Sequence, residues 1–132
     1  MSKTRFDILA SAAQTATGQG GAISVSGIKN LALAVDITCQ TGTLTGVYLQ
    51  GSSDGGTTWF DLLATTSCWL TSGAGVGTTG GPTKVLAGNL LTGNVAKVWA
   101  NYQIIGDYVR AAWGISGAAP WVTIGVKGIG EN

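Results

Sequence analysis

Residues 31–38, LALAVDIT, put Leu31, Leu33, Val35 and Ile37 on one side of the chain and Ala32, Ala34, Asp36 and Thr38 on the other. A repeat of two is that of an extended strand with one buried face. The same alternation recurs outward from this stretch, at 96–105, at 108–115 and at 121–127, where Val122, Ile124 and Val126 point one way. Shorter strands are predicted at 5–9, 22–25, 46–50, 58–63 and 84–87. Glycine- and threonine-rich turns separate the runs at about 8–12 residues, the spacing of a sandwich or barrel. No long segment carries a helical period, and the abundant threonine favours strands. The predicted fold is all-β, a two-sheet β-sandwich of about eight strands, jelly-roll-like.

The chain has 132 residues, the length of one domain. Residues 1–21 read as an N-terminal arm, small and polar enough to reach a neighbouring subunit. Residues 22–132 read as the sandwich, with an exposed glycine-rich loop at 72–82 (SGAGVGTTGGP). Charged residues are only 10% of the chain and the net charge is +1. Isolated domains carry about 25% charge, which keeps them apart, and bare strand edges invite pairing. A homo-oligomer is therefore expected, with a trimer favoured.

Composition excludes several functions. With no histidine, Ser-His-Asp and Cys-His catalysis are out, as are nearly all zinc sites. The acids Asp7, Asp36, Asp54, Asp61, Asp107 and Glu131 are scattered, with no spacing that suggests a glycosidase pair. The bases are spread as thinly, so neither nucleic acid nor a membrane is an expected partner. The apolar stretch at 6–10 is too short for a signal peptide and contains Asp7. No catalytic residue, metal or cofactor is expected. Cys39 and Cys68 read as two reduced, half-buried thiols, although the sequence leaves a bridge open. Gly75–Gly80 matches GxGxxG, but Gly81-Pro82 and a strand-like KVLAG follow it rather than a helix. It reads as a plain glycine-rich loop.

The sharpest local signal is SSDGGTTW at 52–59. Its form, S-x-D-x-G-x-T-W, resembles the Asp-box of sialidases and related β proteins. Physically it is a hairpin staple built from Ser52, Asp54, Gly56, Thr58 and Trp59. Asp54 accepts backbone N–H bonds across the turn, the glycines supply the unusual backbone angles, and Trp59 packs beneath. In sialidases the box lies away from the active site and recurs once per propeller blade. This chain has one copy, is too short for a propeller, and has only Arg5 and Arg110 where sialidase chemistry needs an arginine cluster.

A second resemblance covers roughly residues 46–128. VYLQGSSDGGTTWFDLLATT, a glycine-rich interval, and then DYVRAAWGISGAAPWVTIGVKG resemble small β-sandwich proteins of tailed-bacteriophage virions. In those, an L-x-G-S-x-D-G-G-x-T-W hairpin precedes a Y-V-R-x-x-W-x-I-S-G strand and a final alternating strand. The resemblance implies a virion accessory role such as capsid decoration or a head or tail component. It also implies localisation to the virion after synthesis in the host cytoplasm, with the major capsid protein or another virion protein as partner.

The aromatics carry a separate expectation. If Ala100, Tyr102, Val109, Ala111 and Trp113 face inward, then Trp99, Tyr108, Arg110 and Trp121 face outward. Were their strands neighbours, these four would share one face. Aromatics beside arginine anchor interfaces, and the same set could stack on sugars. The expected function is thus a non-enzymatic structural protein of a phage virion. The alternative is a glycan-binding module of a phage tail or secreted enzyme.

Overall fold

The structure is a computed structural model describing residues 3–62, 64–72, 86–91, 93, 95–104 and 106–131, with backbone alone at 64–72, 86–91, 96 and 98. Its strands are β1 (Lys3–Gln14), β2 (Gly18–Gln19), β3 (Ile23–Ser24), β4 (Asn30–Ser52), β5 (Phe60–Asp61), β6 (Ala64–Ser72), β7 (Leu86–Leu91), β8 (Val95–Gln103) and β9 (Tyr108–Glu131). There is no helix among the described residues. The all-β expectation is met.

The layout differs from two separate sheets of a jelly-roll-like sandwich. Hydrogen bonds join all nine strands into one antiparallel sheet, ordered β1-β9-β4-β8-β6, with β2 and β3 on β9 and with β5 and β7 on β4. The physical reason is the length of β4 and β9, at 23 and 24 residues. Each runs through both halves of the sheet. In the first half, Asn30–Thr38 of β4 lies between β8 and the last part of β9. In the second half, Thr43–Ser52 pairs with the first part of β9 and carries β7 and β5 on its other side.

A bend joins the halves. Thr41 pairs with Trp121 and Thr43 with Ser116, so residues 117–120 bulge out of β9 opposite Gly42. Gly42 has φ +85°, and a Cβ there would stand 2.7 Å from Pro120 Cβ and 2.9 Å from the Ser116 carbonyl. Only glycine fits so close to the bulge. Between Cys39–Val122 and Val47–Trp113, β9 takes one more step than β4. The inward set on β9 consequently switches from Val122, Ile124 and Val126 to Trp113, Ala111 and Val109. The alternation therefore reads as two strands, 108–115 and 121–127, where the backbone forms one.

Leu31, Leu33, Val35 and Ile37 from the first half share one buried cluster with Leu44, Val47 and Leu49 from the second. Each such side chain contributes about 1.5–3 kcal/mol by leaving water. Residues 3–14 of the expected arm are β1, an edge strand of the chain's own sheet, with two register shifts that break its regularity. Most of the glycine-rich loop, residues 73–82, and with it the GxGxxG stretch, lies outside the described residues. Cys39 is a free, fully buried thiol. Burial pushes its pKa up, against a smaller lowering by the Leu44 backbone. Cys68 sits two strands away and five residues along, roughly 19 Å by strand geometry and beyond disulfide reach.

Candidate interaction surface

Two solvent-side features stand out, one in each half of the sheet. The first is the hairpin after β4. Ser52 is fully buried. Its hydroxyl donates to Asp54 Oδ1 at 2.8 Å and accepts the Gly56 N–H at 2.9 Å. Asp54 Oδ1 also accepts the N–H groups of Thr57 at 3.2 Å and Thr58 at 2.9 Å. The Thr58 N–H foremost, then the Ser52 hydroxyl, lower the Asp54 pKa to about 2. Trp59 Nε1 donates to the Gly56 carbonyl at 3.0 Å, closing the turn. These bonds bring Ser52, Asp54, Gly56, Thr58 and Trp59 together in one turn.

Trp59 is also joined to the sheet. The Arg110 guanidinium lies 4.2 Å from its ring centroid. Arg110 Nε donates to Gln50 Oε1 at 2.8 Å, and Gln50 Nε2 donates to Asp61 Oδ1 at 3.0 Å. Arg110, Gln50 and Asp61 are register partners across β9, β4 and β5, so the chain of bonds follows one row of the sheet. Tyr108, two residues from Arg110, is half-buried and pairs with Ser52 and Ser24. Asp54 and Arg110 both have partners within the protein.

The second feature is the outer face of the first half. The row Trp99–Ala34–Lys127–Asp7 runs from β8 through β4 and β9 to β1, and Asn101–Ala32–Ile129–Arg5 lies beside it. Trp99 is 47% exposed and Ile129 44%. Between them, Ala32 and Ala34 form the floor of an open furrow of about 380 Å³, walled by Trp99 on one side and by Lys127, Ile129 and Arg5 on the other. Ion pairs stand at its two ends, Lys3–Glu131 at 3.6 Å and Lys97–Asp36 at 4.0 Å. Exposed pairs of this kind add little stability.

Trp99, Tyr108, Arg110 and Trp121 are thus not one cluster. Strand β4 separates β8 from β9, and Trp121, 52% exposed, sits at the bend opposite Thr41. Measured along β4, that is about 23 Å from the Trp99 row. Tyr108 and Arg110 lie beyond the bend. Ala32, Ala34 and Ile129 were not among the expected contact residues. Carrying the 121–127 alternation two steps further would have found Ile129, which the Gly128 and Gly130 positions obscure.

Among the described residues no cluster of acids and cysteines could hold a metal ion. No helix among them is long and apolar enough to cross a membrane. No family model and no curated protein sequence matches the chain. Among solved structures, the crystal structure of the SPBc2 prophage-derived protein YomS is similar, with a TM-score of 0.52 and 18% identity, over 98% of this chain and 92% of that one. At this identity the likeness is one of fold.

Proposed function

We propose that the protein is a non-enzymatic structural component of a tailed-phage virion, with capsid decoration as its specific role. The observation that carries this reading is the fold shared with a prophage-derived protein along almost the whole chain. The hairpin at 52–59, which resembles that of virion β proteins, adds to it. Its partners on this reading are copies of itself and the major capsid protein or another virion protein. A decoration protein needs only modest strength per contact, because a lattice of many copies multiplies it. An open sheet face bearing the exposed Trp99 and Ile129 suits that task better than an enclosed cleft would.

Two facts favour this over glycan binding. Arg110 already covers one face of Trp59. Trp99 and Trp121, the pair that would have made a sugar platform, lie in separate rows of the sheet. The test is the composition of intact particles, purified on a density gradient from the phage or induced lysogen that encodes the chain. Mass spectrometry should find the protein at a copy number that matches the capsid lattice. Absence from particles, with the protein abundant in the lysate, would overturn the reading.

A further inference from the structure

We propose that the furrow over Ala32 and Ala34 receives Trp99 of a second copy of this chain, forming a two-fold dimer through the outer face of the first half-sheet. The inference rests on the self-association included in the reading above and names its surface. Knob and furrow are adjacent on one patch: Trp99 on β8 pairs with Ala34 on β4. A two-fold axis beside Ala34 seats each Trp99 on the partner's Ala34, the reciprocal contact of an isologous interface. A trimer or other ring needs a donor surface and a separate acceptor surface. Here both lie in one place, so the geometry selects the dimer over the trimer favoured from composition.

Three further observations fit a second copy. Trp99, Ala32, Ala34 and Ile129 make an apolar strip, with Arg5 and Lys127 on its wall and Lys3–Glu131 and Lys97–Asp36 at its ends. An apolar centre with a charged rim is the anatomy of protein interfaces. The size is also adequate. Five strands about 4.8 Å apart, and the 30–38 stretch of β4 at about 3.3 Å per residue, give a face of roughly 600 Å² in projection. Its accessible area is larger than its projection, near the ~800 Å² per partner of a standard interface. Lys127, on the furrow wall, places a cation within reach of the incoming indole, a favourable pairing.

The test is mass by light scattering on a size-exclusion column, run from about 1 to about 200 µM, a range that reports micromolar dissociation constants. The wild type should move from monomer to dimer mass across it. Ala34→Glu fills the furrow with a charge and should weaken the dimer by at least about 100-fold. Trp99→Ala, which removes the knob and adds nothing, should weaken it at least about tenfold. Trp121→Ala, equally exposed but outside the face, should leave it unchanged. Circular dichroism verifies that each variant is folded. A wild type that stays monomeric at the top concentration overturns the proposal, as does a dimer indifferent to both furrow variants. Neither result bears on particle composition, so the two readings fail separately.

Discussion

Trp59 and Trp99 both lie on the solvent side of the same sheet, one in each half, and their surroundings could hardly differ more. Trp59 donates to its own turn and lies under Arg110, which Gln50 in turn ties to Asp61 two strands away from it. Trp99 is 47% exposed above a floor of alanines. An aromatic next to arginine in the sequence pattern suggests an interface anchor. The contrast shows that the arginine's partner decides: Arg110 closes the hairpin half on itself, whereas the alanine floor leaves the other half open to a partner. The hairpin half should therefore respond to mutation in stability and the open half in association.

The strongest test of that division is Gly106→Ala. Gly106 has φ +124°, and a Cβ there would meet the Ser52 carbonyl oxygen at 2.5 Å. That oxygen also accepts the Asp107 N–H at 3.0 Å, so backbone opposes backbone and no side chain can yield. The expected cost is about 2–4 kcal/mol, from steric clash and left-handed strain together. Urea unfolding measures it. A loss below about 0.5 kcal/mol, the range of ordinary surface changes, would mean the hairpin is not rigidly clamped to the β8–β9 turn.

Next in size is Trp59→Ala, which removes the Nε1 hydrogen bond and the Arg110 contact at once. Together they are worth about 1–2 kcal/mol. Arg110→Lys keeps the charge but loses the planar stack and the Nε bond to Gln50, and should recover only part of the difference. Full recovery by lysine would show that charge alone holds the row together.

How much of this could be read from sequence depended on how local each feature is. The staple at 52–59 was legible residue by residue, because its bonds close within the turn itself. The inward set of β4 was legible because Leu31 to Ile37 alternate without interruption. The bend was not: GISGAAPW at 114–121 reads as a turn between two strands, whereas it is a bulge inside one. The Trp99 face was half legible. Exposure of Trp99 followed from alternation, but its neighbours are set by strand order, and β4 lying between β8 and β9 appears in no local pattern.

The hairpin half also carries its own acid sensitivity. With its folded pKa lowered to about 2, Asp54 contributes stability that is fully present above its unfolded value of about 4. That contribution drains away as pH falls from about 4 to about 2. Thermal melts across that window should show the wild type losing more than Asp54→Asn, whose side chain does not titrate. Parallel curves for the two proteins would mean that other carboxylates govern acid unfolding and that the hairpin bonds persist when protonated.

The smallest expected effect on stability is the most discriminating. Trp99→Ala, measured on the monomer at about 1 µM, should change unfolding free energy by no more than about 0.5 kcal/mol, as surface substitutions do. Half of the indole is already in water, and its inward neighbours Ala100 and Tyr102 keep their own packing. Paired with Trp59→Ala, this gives two tryptophans with opposite signatures, one lowering stability and the other lowering association. If Trp99→Ala instead destabilised the monomer as much as Trp59→Ala does, the indole would be packed against its own chain. The furrow would then be closed from within, and no second copy could enter it.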